Sequence, residues 1–317
     1  MKRVLFVCSG NSKNFDVVPF IQAQADSLIE LGHEVEFSTV KGRGALAYLS
    51  HVLILRRALN SSSYDVIHAH YSLCGFVAYL AGICSKTPVI VSLMGSDVKG
   101  SGLLLGIIRC FTRYLWDATI VKSDDMHRSL RVDSAEIIPN GINLGVFKPL
   151  LRNDCRVQLG WEVNKHYILF GADPQRPVKN YALAQKAYPL ITTDNCEFHI
   201  LGSIPHADIP IYLNACDVLL LTSKWEGSPN IIKEAMACGT PIVCTDVGDV
   251  RWLLEGLDGC YVASQDSADI ADKLEKSLSF EGKTAGRERL IELNLDSENV
   301  ARRIVKVYER VVRKRGQ

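Results

Sequence analysis

Two glutamates, Glu226 and Glu234, are separated by seven residues and bracket the start of a predicted helix. Ser228 is a favourable N-cap and Pro229 fits the first helical position, so the sequence predicts a helix over about 229–238. The N–H groups and the positive dipole end of a helix N-terminus attract phosphate or polar sugar groups. Two carboxylates placed around such an N-terminus can bind hydroxyl groups at either end of an elongated ligand.

The end of the same helix is also specified by the sequence. Gly239 suits the left-handed position that follows a helix, and Pro241 prevents the helix from continuing. On spacing alone a second interpretation is equally open, in which a solvent-facing loop glutamate precedes an ordinary amphipathic helix.

Short β-rich apolar runs alternate with helix-length segments from end to end. They are VLFVC (4–8), VEFS (35–38), VIHAH (66–70), PVIVSL (88–93), ATIV (118–121), YILFG (167–171), FHIL (198–201), DVLLLT (217–222), PIVCT (241–245) and GCYVA (259–263). Continuous apolar strands indicate parallel sheets that are covered on both faces. The sequence therefore predicts two α/β domains, each with a doubly wound parallel sheet. We expect two Rossmann-like domains facing across a cleft that is lined by the loops after the strands.

A stretch with little periodicity follows Asn140-Gly141, and we place the linker there. The predicted domains are an N-terminal acceptor-binding domain over 1–145 and a C-terminal donor domain over 146–296. Residues 297–317 form a basic helix, for which a return to the N-terminal domain is left open. Its basic residues complement a helix dipole, which favours a solvated face.

Composition excludes several classes of function. The 317 residues include 36 Lys plus Arg and 35 Asp plus Glu, so no excess of positive charge favours nucleic-acid binding. No apolar run is long enough for a signal peptide or a membrane span, which predicts a cytoplasmic protein. Ten cysteines lie scattered without a CxxC pair and are expected to be reduced, mostly buried thiols.

The first strand runs into Cys8 and a Gly-Asn loop, which is similar to the start of low-molecular-weight tyrosine phosphatases. That chemistry requires an arginine six residues after the cysteine to bind phosphoryl oxygens and lower the thiol pKa, but Asn14 occupies the position. We therefore expect Cys8 to be a small core residue. A Gly42-Arg43-Gly44 segment follows the second strand rather than the first, so no NAD site is assigned.

The segment around the two glutamates resembles the signature of retaining glycosyltransferases with the GT-B fold, family 4 type. The matching stretches are Glu226-Gly227-Ser228-Pro229-Asn230 and Glu234-Ala235-Met236-Ala237-Cys238-Gly239-Thr240-Pro241. Further stretches resemble the same family in order: Asp65 to His70, Gly95-Ser96-Asp97, Ile138 to Ile142 with Phe147 and Pro149, and Phe170-Gly171 with Arg176 to Asn180. The resemblance covers nearly the whole chain.

This resemblance implies roles on the donor side. Glu234 would hold the ribose hydroxyls and Glu226 would contact hydroxyls of the transferred sugar. Arg176 and Lys179 match the cations that neutralise a diphosphate, whose departure builds up negative charge. The catalytic set would then be Glu226, Arg176 and Lys179. Gly227, Ser228, Pro229, Asn230, Gly10 and Asn11 would join Glu234 in binding the donor.

On the acceptor side, the resemblance implies contacts from His70 and Asp97, while Met94 stands where many relatives carry histidine. No metal is expected, because the Asp-x-Asp motif of GT-A transferases is absent and His68 with His70 lacks a further ligand. No cofactor is expected either. The family is thought to use front-face displacement, in which the leaving phosphate takes the acceptor proton, so no nucleophile is required.

The function that follows is retaining, metal-independent transfer of a hexose-type sugar in surface polysaccharide or glycoconjugate biosynthesis. The donor would be UDP-linked and the acceptor a saccharide or a lipid-linked saccharide. Two apolar segments carry arginines: 45–59 with Arg56-Arg57, and 102–116 with Arg109 and Arg113. Each is either a core helix or a contact with an anionic membrane surface, at the inner face of the membrane. A nucleotide-sugar 2-epimerase and a non-catalytic binding protein remain alternatives.

Overall fold

The computed structural model describes residues 1–11, 15–42, 44–83, 85–99, 102–202 and 204–316. Asn14 and Arg43, on which two of the sequence interpretations depend, lie outside these ranges. The chain forms two compact units. The first comprises Met1–Gly141 and Ser297–Gln317, and the second comprises Ile142–Asp296.

The first unit is built on a six-stranded parallel sheet with the order β2-β1-β3-β4-β5-β6. Its elements up to the linker are β1 (Arg3–Ser9), α1 (Pro19–Glu30), β2 (Glu34–Val40), α2 (Ala45–Ser61), β3 (Val66–His70), α3 (Ser72–Gly82), β4 (Val89–Ser92), α4 (Gly95–Lys99), α5 (Leu103–Tyr114), β5 (Ala118–Val121), α6 (Asp124–Leu130) and β6 (Glu136–Ile137). The two-residue strand β6 is an addition to the strands predicted from the apolar runs.

The central strands of this sheet are buried along their length because both faces are covered. Leu5, Val7, Ile67 and Ala69 belong to the core cluster under α2, α3 and α5. The residue between the last two, His68, points the other way and contacts Tyr308 at the opposite face. This two-sided burial explains why the strands read as continuous apolar runs, and it confirms the prediction of a doubly wound sheet.

The second unit has a five-stranded parallel sheet with the order β11-β10-β9-β7-β8. Its elements are α7 (Arg152–Leu159), β7 (His166–Phe170), α8 (Tyr181–Ala187), β8 (Cys196–Ile200), α9 (Ile209–Ala215), β9 (Val218–Leu221), α10 (Asn230–Cys238), β10 (Ile242–Thr245), α11 (Val250–Leu254), β11 (Cys260–Ala263), α12 (Ser267–Leu278) and α13 (Gly286–Glu292). All ten apolar runs of the sequence coincide with strands of the two sheets.

The last helix, α14 (Ser297–Gly316), belongs to the first unit and packs against α1. Its buried stripe comprises Val300, Ala301, Ile304, Val307, Tyr308 and Val311. Its basic residues are largely exposed, as the solvated interpretation predicts, and several of them also bond to other parts of the unit. Arg315 pairs with Asp117 at 2.8 Å, Arg310 pairs with Glu136, and Arg303 donates to the carbonyl of Ile137. These contacts fasten the helix to the sheet of its unit.

Candidate functional site

The loops after β7 and β9 bring Lys179 and Glu226 into direct contact. Lys179 ends a short 3-10 turn, Pro177–Lys179, and its ammonium pairs with Oε1 of Glu226. The Ser223 hydroxyl donates to the same oxygen at 2.6 Å. Both charged side chains are largely buried, at 12% and 15% exposed, so the pair is less screened than a surface salt bridge. Two residues 47 positions apart therefore form one charged centre.

Further hydrogen bonds hold these loops in place. The Thr222 hydroxyl lies 3.1 Å from the carbonyl of Lys179 and 3.0 Å from that of Asn180. The amide of Gln265, in the loop after β11, donates to the Ser223 carbonyl at 2.8 Å and accepts from the Asn180 amide at 3.0 Å. Carboxyl-end loops of three strands are thereby tied together, which is where a parallel sheet places its ligand site.

Arg176 lies apart from this centre. Its side chain is exposed, and its backbone N–H donates to the carbonyl of Asp173. Within the described ranges it forms no ion pair. The structure thus brings Lys179 to Glu226 but leaves the Arg176 side chain exposed to solvent. Binding of the diphosphate by Arg176 stays a prediction.

Glu234 lies one turn into α10 and is 6% exposed. Its Oε1 is 3.2 Å from Nε2 of His206, in the segment between β8 and α9. The carboxylate raises the pKa of His206, against a smaller opposing effect of burial. The His206 ring also meets the edge of Phe147, with centroids 5.7 Å apart. No spacing or motif in the sequence links His206 to Glu234, so the sequence analysis missed it.

The N-terminus of α10 differs from the prediction. The helix begins at Asn230 with Pro229 as its N-cap, and no side chain caps it. Ser228 is therefore not the N-cap, and its hydroxyl instead accepts a hydrogen bond from the ammonium of Lys233 at 3.0 Å. At the other end Gly239 has φ 68° and ψ 26°, which confirms the predicted left-handed C-terminal position.

In the first unit, Gly10 and Asn11 follow β1 and contact the neighbouring loop. The Gly10 N–H donates to the Val40 carbonyl at 2.9 Å. The Asn11 amide donates to the Gly42 carbonyl at 2.7 Å and accepts from the Gly42 N–H at 2.8 Å. These hydrogen bonds hold the Gly10–Asn11 loop against the loop after β2, and donor binding by Gly10 and Asn11 stays a prediction.

The acceptor-side candidates are deeply buried. His70 is 1% exposed, stacks on His68 at 4.5 Å, and has no hydrogen-bond partner for either ring nitrogen within the described ranges. Asp97 is 4% exposed and accepts from the backbone N–H groups of Ser72 and Met94. Burial raises the pKa of Asp97 to about 6. Asp97 thus positions two segments of its own unit, and acceptor contact by either residue stays a prediction.

Two other sequence interpretations concern His68 and Cys8. His68 is a core residue, bonded to Tyr308 and Ser92 at 2.6 and 2.9 Å. Over the described ranges, no three His, Cys, Asp or Glu side chains come together in a way that could hold a metal ion. Cys8 is fully buried, and burial raises its pKa to about 11, which confirms its assignment to the core.

Two family models match the chain one after the other. "Glycosyltransferase Family 4" matches residues 4–146 and "Glycosyl transferases group 1" matches residues 151–279. The first match falls on the sheet of the first unit and the second on the sheet of the second unit, including the Lys179, Glu226 and Glu234 loops.

Individual proteins are similar to this chain as well. The "Putative teichuronic acid biosynthesis glycosyltransferase TuaC" of Bacillus subtilis is 26% identical over 213 residues, which is 60% of this chain and 55% of that protein. A "D-inositol 3-phosphate glycosyltransferase" of an Arthrobacter species is 26% identical over 272 residues, 70% of this chain and 64% of the relative. The chain therefore spans less than two thirds of the length of these relatives.

A solved structure shows the same fold. The "Crystal structure of Anabaena Alr3699/HepE in complex with UDP and glucose" superposes with a TM-score of 0.77 at 18% identity, covering 98% of this chain and 100% of that one. At this level of identity the comparison supports the fold and leaves the ligand chemistry to the site residues.

Proposed function

Because the chain belongs to the GT-B glycosyltransferases, we propose that it transfers a sugar from a nucleotide-sugar, with UDP as the nucleotide, to a saccharide or lipid-linked saccharide acceptor. The observation that carries this proposal is the Lys179–Glu226 pair beside the N-terminus of α10. A cation, a carboxylate and a helix N-terminus at the carboxyl ends of a parallel sheet suit a sugar diphosphate.

The pair suggests how the donor is accommodated. Without ligand, the Lys179 ammonium neutralises Glu226. A bound diphosphate would attract Lys179, and the oxygens of Glu226 would then be available to sugar hydroxyls. Lys179 would also stabilise the charge that develops on the departing diphosphate, where fixed cations contribute most to rate. Neither residue needs to form a covalent bond with the sugar, which suits front-face displacement with retention and without a metal.

Glu234 supplies the second anchor. Its carboxylate is held by His206 and lies on the same helix whose N-terminus adjoins Glu226. A carboxylate accepts two hydroxyl hydrogen bonds at once, and bonds to an ionised group are the stronger kind. Ribose, with two neighbouring hydroxyls, fits that geometry. The neighbour with bound UDP is consistent with a uridine nucleotide as donor.

The first unit carries a surface suited to a lipid-linked acceptor. Leu46 and Leu53 of α2 are 82% and 60% exposed, and Leu103 of α5 is 83% exposed. Both helices pack on the same core cluster, neither contains Asp or Glu, and the exposed Arg57 and Arg113 form no ion pair within the described ranges. Apolar residues beside unpaired cations favour an anionic membrane surface.

A further finding concerns membrane crossing. None of the helices in the described ranges combines the length and apolar composition needed to span a bilayer. We propose that the contact with the membrane is peripheral and serves the assembly of surface polysaccharide or another glycoconjugate. The similarity to the Bacillus relative, whose name is "Putative teichuronic acid biosynthesis glycosyltransferase TuaC", agrees with that setting.

The test is thermal unfolding of the purified protein with UDP, GDP, ADP and their sugar conjugates, without added metal. A ligand that binds only the folded state raises the midpoint by mass action. We expect a shift with UDP and UDP-sugars that Glu234→Ala abolishes. A protein that responds to none of these nucleotides would contradict the proposal.

A second measurement separates the alternative activities. The protein is incubated with the stabilising nucleotide-sugar alone and then with an acceptor panel. Conversion of the donor to its epimer without acceptor would indicate a 2-epimerase. Binding without turnover on any acceptor would indicate a binding protein, whereas product with the anomeric configuration of the donor supports retaining transfer.

A further inference from the structure

Lys233 is a fully buried lysine on α10, next to Glu234 in the chain and 0% exposed. Its ammonium donates to the Ser228 hydroxyl at 3.0 Å. Burial lowers its pKa to about 8, against a smaller opposing effect of the carboxylates of Asp249 and Glu234. Neither the proposed donor contacts nor the core requires a cation at this position.

The loop after β10 approaches the same place from the other side. Asp249, at the start of α11, is 9% exposed, and neither of its carboxylate oxygens has a hydrogen-bond partner within the described ranges. Burial raises its pKa, and the charge of Lys233 acts in the opposite direction. The adjoining Gly248 has φ +60°, and a Cβ there would stand 2.6 Å from the carbonyl oxygen of Gly227. The backbone of the loop is therefore pressed against the Glu226–Ser228 segment.

The physical cost of this arrangement points to a role. A buried lysine loses its hydration, and a buried ion pair is commonly no more stabilising than apolar residues of similar size. An apolar side chain in place of Lys233 would fill the space but would form no hydrogen bond to Ser228. Lys233 differs from such a side chain because it donates a hydrogen bond to the segment that carries Glu226.

We propose that the Lys233–Ser228 hydrogen bond and the Gly248 backbone packed against Gly227 form a buried clamp that fixes the Glu226–Ser228 segment, with Lys233 as a positioning residue for Glu226. The clamp joins α10 to the loops after β9 and β10. Donor hydroxyl contact by Glu226 then depends on a residue that does not touch the donor. This inference rests on the proposed function for its kinetic consequence, whereas its structural consequence can be tested without any donor.

The structural test compares hydrogen exchange in Lys233→Met, Asp249→Asn and the double variant, with the exposed Lys186→Met as control. Lys233→Met leaves the buried Asp249 carboxylate without the nearby positive charge, so the melting temperature should fall, and adding Asp249→Asn should recover it. In Lys233→Met and in the double variant, amides of 224–228 and 246–249 should exchange about tenfold faster than in the control. Unchanged protection of these segments in Lys233→Met would overturn the proposal.

The kinetic test uses the same variants with the donor found for the wild type. We expect a kcat about tenfold lower in Lys233→Met with a donor KM within about threefold, because Glu234 still binds the nucleotide. The double variant should stay slow although its melting temperature recovers. If its kcat recovers together with stability, Lys233 is merely structural. A wild type without turnover contradicts the proposed function, whereas the exchange data still decide on the clamp.

Discussion

Nδ1 of His68, in the middle of β3, lies 2.6 Å from the hydroxyl of Tyr308 on α14, across a sequence separation of 240 residues. Both residues are fully buried. The other ring nitrogen of His68 contacts the Ser92 hydroxyl at 2.9 Å. This hydrogen-bonded chain connects the last helix to the two central strands of the first unit.

Tyr308→Phe should destabilise the protein, because it leaves Nδ1 of His68 buried without its partner. The expected loss is about 1–3 kcal/mol of unfolding free energy. Urea unfolding followed by circular dichroism measures it, with the exposed Lys314→Ala on the same helix as control. Equal midpoints for the two variants would show that the bond contributes nothing.

Stability should fall as the pH drops below 6.5, in part because of His70. Burial depresses the pKa of His70 well below its usual value, as it does for His68, whose pKa is about 3. The unfolded state therefore binds protons at pH values where the folded state does not, so acid favours unfolding. Asp97 acts in the opposite sense because its pKa is raised to about 6.

Comparison with His70→Phe isolates the contribution of one ring. Between pH 6.5 and 5 the wild type should lose about 1.5 kcal/mol more unfolding free energy than the variant. Urea titrations at several pH values provide the measurement. Parallel stability curves for the two proteins would mean that His70 charges equally readily in the folded and unfolded states.

Glu226→Gln should lower turnover far more than donor binding. The amide keeps the shape of the side chain but no longer neutralises Lys179 or offers an ionised acceptor to the sugar. We expect kcat to fall by about 10²-fold. Calorimetry with the nucleoside diphosphate alone should give unchanged or tighter binding, since Lys179 loses a competing anion. Full activity in this variant would remove Glu226 from the site.

Gly248→Ala should disturb the Glu226–Ser228 segment, because the added Cβ would stand 2.6 Å from the Gly227 carbonyl oxygen at φ +60°. Gly256→Ala is the matched control, since Gly256 has φ +74° with no atom within 4 Å of the added Cβ. Both substitutions place a Cβ on a left-handed backbone, which costs about 1–2 kcal/mol of stability. Any further loss of stability in Gly248→Ala therefore measures the steric clash. The melting temperature and kcat of both variants provide the measurement. Equal values for the two variants would contradict the close packing of Gly248 against Gly227.

Binding to vesicles should depend on the exposed apolar residues of α2 and α5. Leu53→Glu combined with Leu103→Glu places negative charge on both helices. The fraction of protein bound to vesicles that contain phosphatidylserine should therefore fall several-fold. Leu151→Glu, at a 73% exposed position of the second unit, is the control. If the wild-type protein does not sediment with these vesicles, the proposed membrane contact is wrong.

The sequence predicted much of the fold because the signals for it are local. Short, mostly apolar runs such as Val66 to His70 are typical of strands covered on both faces, and these runs mark strands in both sheets. The end of α10 was equally readable, since Gly239 alone among its neighbours adopts the left-handed backbone without a Cβ penalty. Its start was not, because Ser228 could serve either as a cap or as a partner of Lys233.

What the sequence by itself determined is the architecture, the family signature and the presence of Lys179, Glu226 and Glu234 in loops and a helix at the carboxyl ends of strands. Only the tertiary structure decided which of these side chains meet. It paired Lys179 with Glu226 and His206 with Glu234, left Arg176 exposed to solvent and buried Asp97. The physical reason is that strand and helix signals act between neighbours in the chain, whereas side-chain partners depend on sheet order, which brings distant loops together.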